Sequence, residues 1–326
     1  MDKFLDQKSA GPILYPPLDP FAHHMIDMGD GHEIYVEECG TQGARPVVVL
    51  HGGPGAGCSP YMRRFFDPTK YHIILFDQRG CGRSKPTASV QNNTTHHLIR
   101  DIEHIRTRFG IERWAVFGGS WGATLALLYA QAHAEAVTHL ILRGTFTMTK
   151  AELDWFYGGG AGKFWPDLWT KFESAIPVGE RGDLIDAYHK RLFSGDLRTE
   201  MNFGKLWSDW ENALASFRAN GNGGYAPMDY ARTFARIENH YFINKGFLDR
   251  DEQIFDDMDK ISHIPGYIVQ GRYDVICPPS TAYRLAKAWP NCDLRIVPFA
   301  GHAMSEPGIS EQLLTITNTI ARQTFV

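Results

Sequence analysis

The sequence predicts an α/β fold, a mostly parallel sheet flanked by helices, with a helical domain inserted late in the chain. Three observations carry this: short β-branched runs alternate with helical patterns through the first half, strands disappear for roughly a hundred residues after Phe146, and they return near the C-terminus.

The strands are taken in order. "PVVVL" ends at Leu50, "HIILF" at Phe76, "WAVFG" at Gly118 and "VTHLILRG" at Gly144. Among them, "THHLIRDIEHIRTRF" and "TLALLYAQAHA" place apolar residues at the 3.6-residue helical period, so strand and helix alternate as in a parallel sheet covered on both faces. Beyond Phe146 the texture is aromatic and glycine-punctuated, from "LDWFYGGGAGKFWPDLW" to "YARTFARIENHYFINKGF", with "NGNGG" at Asn220 to Gly224 as the clearest loop. "GYIVQGRYD" and "DLRIVPFAGH" then read as strands that each end at a polar cluster. "ISEQLLTITNTIARQTF" closes the chain as an amphipathic helix. These breaks divide the chain into a first core segment 1–147, a helical domain 148–260 and a second core segment 261–326.

The bulk numbers exclude several classes. With 326 residues, 43% of them hydrophobic, the chain is long enough to bury a sizeable core. Its 33 basic and 37 acidic residues leave a formal charge of -4 with no Lys/Arg-rich block, which argues against a nucleic-acid footprint. No apolar run is long enough to span a bilayer and the first residues lack a signal-peptide pattern, so the expected location is cytoplasmic. Five cysteines (Cys39, Cys58, Cys81, Cys277, Cys292), an odd number without a CxxC pair, fit free thiols better than a disulfide or zinc framework. The Asn-x-Thr sequons at Asn92 and Asn93 read as a loop and helix N-cap.

The chemistry gathers at strand ends. In "VFGGSWGATLALL", Gly118-Gly119-Ser120-Trp121-Gly122 follows a strand and opens a helix, the context of a nucleophile elbow. The alternative is a glycine-rich turn in which Ser120 caps the helix. A nucleophilic serine needs a base, and the base needs a group that sets its tautomer. Asp274 ends one late strand and His302 follows the last, in the order Ser, Asp, His. Separately, Asp274 could be a turn former and His302 one of fourteen ordinary histidines; together they make a candidate triad. "VVVLHGGPGAG" supplies a glycine-rich turn after an earlier strand, and the main-chain N–H groups of Gly53 and Trp121 are the candidate oxyanion hole. The loop lacks the signatures of phosphate binding, and neither a metal nor an organic cofactor is implied.

At this level of detail "HGGPG", "FDQRGCGRS", "GGSWGATLAL", "GRYD" and the terminal "GH" resemble the prolyl aminopeptidase family of α/β-hydrolases. The resemblance runs from "LYPP" to the last helix and includes "WSDWE" and "FARIENHYF" in the helical insertion. It implies a serine exopeptidase that releases an N-terminal proline from short peptides or amino-acid amides, with Ser120, Asp274 and His302 as triad and a helical cap over the site.

Two anomalies in the insertion acquire a meaning. In "LWSDWENALASF" the apolar stripe is Trp207, Trp210, Leu214 and Phe217, yet Glu211 lies one turn beyond Trp207. In "YARTFARIENHYF" the stripe is Tyr230, Phe234, Ile237 and Tyr241, and Glu238 intrudes in the same way. A carboxylate there either leans out to water or meets a cation. Two carboxylates among aromatic rings suit one compact cation, such as the secondary ammonium of an N-terminal proline. The resemblance implies this role for Glu211 and Glu238, with Phe146, Phe242 and Phe156 or Tyr157 lining the ring pocket. The competing expectation is internal pairing with Arg232 or Arg236.

Three departures from the family pattern bear on the pocket wall: the glycines of "FYGGGAG", Thr145 and Ala56. Cys277, close to Asp274, reads either as a buried small hydrophobe or as a source of thiol sensitivity. The rival functions are a related amino-acid amidase or esterase, a broader aminopeptidase, and a non-catalytic binding protein on the same fold.

Overall fold

The computed structural model describes residues 14–216 and 226–324. Phe217 and the "NGNGG" segment lie outside the described residues.

The elements run β1 (Ala22–Asp27), β2 (Glu33–Gly40), β3 (Arg45–Leu50), α1 (Pro60–Arg63), β4 (Tyr71–Phe76), α2 (Thr95–Arg108), β5 (Trp114–Ser120), α3 (Trp121–Ala132) and β6 (Val137–Thr145). Among the described residues six α-helices then intervene: α4 (Lys150–Tyr157), α5 (Pro166–Ser174), α6 (Leu184–Leu192), α7 (Leu197–Leu214), α8 (Met228–Ile243) and α9 (Gln253–Asp256). The chain returns through β7 (Gly266–Gly271), α10 (Pro279–Ala288), β8 (Cys292–Val297) and α11 (Pro307–Ala321).

Among the described residues eight strands form one sheet in the order β1-β2-β4-β3-β5-β6-β7-β8. From β4 to β8 every pair is parallel, as the buried β-branched runs demand. The first two strands are antiparallel and form an edge that hydropathy does not announce. "EIYVEECG" carries three glutamates, and two of them are buried because partners reach them from distant segments. Glu37 is held by Arg63 at 2.7 Å, and Glu38 by His72 at 2.8 Å.

Helices cover both faces. In α11, Ile309, Leu313, Ile316 and Ile320 form one buried stripe on the face that also holds Phe65, Phe66 and Val49. At roughly 1.5–3 kcal/mol per fully buried aliphatic side chain, that stripe is enough to seat the helix. On the other face Leu98, Ile102 and Ile105 of α2 pack with α3, whose first ten residues are all buried beneath the inserted helices. Thr94 caps α2, and Asn93 is buried with its side chain bonded to Arg79 O, Ser89 O and the Tyr241 hydroxyl. The sequon at Asn93 is thus part of the interior.

Candidate active site

The strand-to-helix turn after β5 is sharp. Ser120 has φ 57° and ψ -127°, a strained left-handed conformation for a residue with a Cβ. Glycines make the turn possible: a Cβ on Gly118 would overlap the Gly122 carbonyl, and one on Gly122 would overlap the Leu50 carbonyl. The Ser120 side chain makes no capping bond to α3, so the capping alternative fails.

The parallel register sets Ser120 opposite Thr145 at the ends of β5 and β6. His302 arrives at the same place. A Cβ added to Gly144 would lie 2.9 Å from the His302 ring and 3.2 Å from Asp274 Oδ2. His302 Nδ1 and Asp274 Oδ2 are 2.8 Å apart. The other Asp274 oxygen accepts the main-chain N–H groups of Ile276 at 3.1 Å and Cys277 at 2.8 Å. Gln270 donates to Asp274 Oδ2 at 3.1 Å and to Cys277 O, while its own Oε1 accepts Thr145 N–H. Asp274 is 3% exposed, so these four donors replace its water shell.

The glycine-rich loop after β3 is pinned from behind. Gln78 Nε2 donates to His51 O at 2.9 Å, Gln78 Oε1 accepts Trp121 Nε1–H at 2.9 Å, and His51 Nε2 accepts Gln78 N–H at 3.0 Å. Since Nε2 is an acceptor, the ring proton sits on Nδ1, which reaches Gly52 O at 2.9 Å. Burial lowers the pKa of His51 and keeps it neutral. From the other side, the Tyr230 hydroxyl donates to Ala56 O and Phe234 rests against Gly53. Tyr230, on the expected buried stripe of α8, is thus 40% exposed and acts as a clamp on this loop.

Gly53 and Ser120 open into a pocket lined by Phe146, Phe156, Tyr157, Glu211, Glu238 and Phe242. Every residue expected in the pocket is there, and both members of the Phe156/Tyr157 alternative line it. Glu152, Leu153, Ile276 and Cys277 complete the wall. Trp155 and Trp169 pack directly on the glycines of "FYGGGAG", which answers the departure noted there.

Glu211 accepts the Tyr157 hydroxyl at 2.7 Å, and Glu238 accepts Trp207 Nε1–H at 2.6 Å. Tyr157 and Trp207 stack with ring centroids 4.4 Å apart, joining the two carboxylates through one aromatic wall. Burial pushes Glu211 up to about 7, against the partial relief of its hydrogen bonds. Burial and the nearby Glu211 charge push Glu238 well above the carboxylate range. Neither forms an ion pair with a cation among the described residues. The expected competitors, Arg232 and Arg236, hold Glu200 instead.

Three contributors have no motif of their own. Glu152, the N3 residue of α4, accepts hydrogen bonds from the hydroxyls of Thr147, Thr149 and Thr281, tying the insertion to both sides of the core. Gln270 and Arg143 lie inside strands that hydropathy marks only as buried; a polar residue within such a run is the one available signal. Cys277 is buried, and desolvation pushes its thiol well above the ordinary range, so it behaves first as a small wall residue.

This sheet, with a strained serine after β5 and a His–Asp pair after β7 and β8, defines an α/β-hydrolase, and residues 45–308 match the alpha/beta hydrolase fold family. A proline iminopeptidase from Xylella fastidiosa is 50% identical over 308 residues, 94% of this chain and 98% of that protein. One from Arabidopsis thaliana is 50% identical over 304 residues, 92% of this chain and 80% of that protein. The crystal structure of proline iminopeptidase from Mycobacterium smegmatis, at 20% identity, matches with a TM-score of 0.57 over 92% of this chain and 97% of that one, a likeness of fold. The chain belongs to the proline iminopeptidase family of α/β-hydrolases, in agreement with the resemblance read from its motifs.

Proposed function

We propose that this chain is a prolyl aminopeptidase in which Ser120 attacks the carbonyl of an N-terminal proline, with residues 148–260 acting as the cap that selects it. The observation that carries the reading is the pair of carboxylates, Glu238 buried and Glu211 half-buried, in the same pocket as Ser120 and without a cation of their own among the described residues. A charged pyrrolidine ring supplies that cation and fills the aromatic pocket.

The reaction is acyl transfer. His302, oriented through Nδ1 by Asp274, accepts the Ser120 proton at Nε2 as Oγ bonds to the carbonyl carbon. The N–H groups of Gly53 and Trp121 stabilise the oxyanion; Trp121 is the first residue of α3, where a main-chain N–H has no intrahelical acceptor. Collapse breaks the C–N bond, and the imidazolium protonates the departing amine. Water, deprotonated by His302, then releases proline from the acyl-enzyme. Peptides with an N-terminal proline and prolyl amides are the substrates in this reading.

The test pairs turnover with folding. Ser120→Ala is expected to lose about six orders of magnitude in kcat while its circular dichroism is unchanged. A folded variant that keeps more than roughly a hundredth of the activity assigns the attack to another residue. Prolyl against alanyl amides separates this specificity from that of a broader aminopeptidase or amidase.

A further inference from the structure

Arg143, on β6, is a buried arginine that no carboxylate bridges directly among the described residues. Arg63 and Arg79 are equally buried, and each is held by an acid, Glu37 at 2.7 Å and Asp101 at 2.6 Å. Arg143 forms no ion pair among the described residues, and its Nε has no acceptor. Its Nη1 donates to His302 O at 2.9 Å. A Cβ on Gly119, the residue before Ser120, would overlap the guanidinium. An unpaired buried charge is costly to keep, and a site that retains one spends stability on its position.

We infer that Arg143 is a positioning residue for the reaction: it fixes the His302 main chain beside the serine turn and sets a permanent positive charge behind the His302–Asp274 pair. The inference rests on the reading of Ser120, His302 and Asp274 as the triad. Asp274 has four hydrogen-bond donors without Arg143, so the link between these two is one of charge. The charged and titratable groups facing the guanidinium are Asp274, His302 and the Cys277 thiol. A cation beside an imidazole disfavours the imidazolium. Arg143 thus sets a fixed positive charge against the one that forms on the imidazole during proton transfer. The anionic intermediate then supplies the charge that makes the imidazolium tolerable.

The test compares Arg143→Met with Arg143→Lys, following kcat/KM for a prolyl amide against pH. It also follows the rate at which a fluorophosphonate labels Ser120. Arg143→Met is expected to lose roughly 10- to 100-fold in kcat/KM, chiefly in kcat, as a small misplacement of a catalytic group does. Its acid-limb midpoint should move to higher pH, because removal of the cation lifts its opposition to the imidazolium. Arg143→Lys should keep the wild-type midpoint and recover part of the rate. Equal losses in both variants with the acid limb unmoved would reduce Arg143 to a packing role and overturn the inference. If Arg143→Met does not fold, Arg143→Gln takes its place in the same comparison. Ser120→Ala run alongside separates the two levels: if it is inactive while the acid limb of Arg143→Met is unmoved, only this inference fails, whereas activity retained by Ser120→Ala defeats the triad as well.

Discussion

Arg232 donates from Nε to Glu200 Oε2 at 2.7 Å, and Arg236 reaches the other oxygen at 3.1 Å. The two arginines of α8 nearest in sequence to Glu238 are thereby spent on a carboxylate one end of α7 away from the pocket. Glu211 and Glu238 keep their hydrogen bonds to Tyr157 and Trp207 and are left without an arginine partner among the described residues.

Replacement of either glutamate by glutamine keeps the shape and removes the charge. Each variant is expected to lose about 2 to 5 kcal/mol of transition-state binding on a prolyl amide, the range for one partner of a desolvated charge pair. The loss should be selective: the same amide with its ring nitrogen acylated presents no cation and should be a poor substrate for every form. Comparison of kcat/KM for both compounds in wild type, Glu211→Gln and Glu238→Gln decides it. Equal losses on the two compounds would make the glutamates structural.

The same pair predicts a pH dependence of stability in the empty enzyme. Burial raises Glu211 from 4.5 to about 7 and pushes Glu238 up with it, so the folded chain holds protons that the unfolded chain releases. Where the unfolded state binds fewer protons, stability falls as pH rises. The fall begins near pH 4.5 and continues through about 7. Glu238→Gln should gain stability relative to wild type across that window, by about 1 kcal/mol or more, a few degrees in Tm. A non-hydrolysable prolyl cation should return the difference. Melting curves at pH 5 and pH 8 test this, and a gap that does not change with pH would sink it.

Gly144 offers a test of the His302–Asp274 geometry that leaves both side chains in place. Its φ is 54°, and an added Cβ would press on the imidazole and on Asp274 Oδ2. Gly144→Ala is expected to lower kcat by roughly 10²-fold with KM nearly unchanged, as a shift of a catalytic group of the order of 1 Å does. A variant that folds and turns over normally would show that the ring position beside Gly144 is not the reactive one.

Much of this protein is legible in the chain alone. The runs ending at Leu50, Phe76, Gly118 and Gly144 are strands because β-branched residues buried on both faces leave no other regular structure, and the turn at Ser120 is written in the glycines around it. Glu211 and Glu238 stand out because helical periodicity makes an acid on an apolar stripe visible. The β1–β2 edge and α10 are not legible in this way. The burial of Glu37 and Glu38 depends on Arg63 and His72, and α10 shows only Ala282 and Leu285 as its buried apolar contacts.

The sequence by itself determined where the six parallel strands lie along the chain, the nucleophile elbow and the identity of the unusual acids, since all of these follow from local composition and spacing. Which acid the arginines take, and which stay open to a substrate, was decided by the crossing of α7 on α8. That crossing brings Glu200 to Arg232 and Trp207 to Glu238. The placement of Arg143 behind His302 is of the same kind, joining residues 159 positions apart. Periodicity records which face of an element is buried; the partner of a buried charge is set by packing between elements, where small differences in register exchange one neighbour for another.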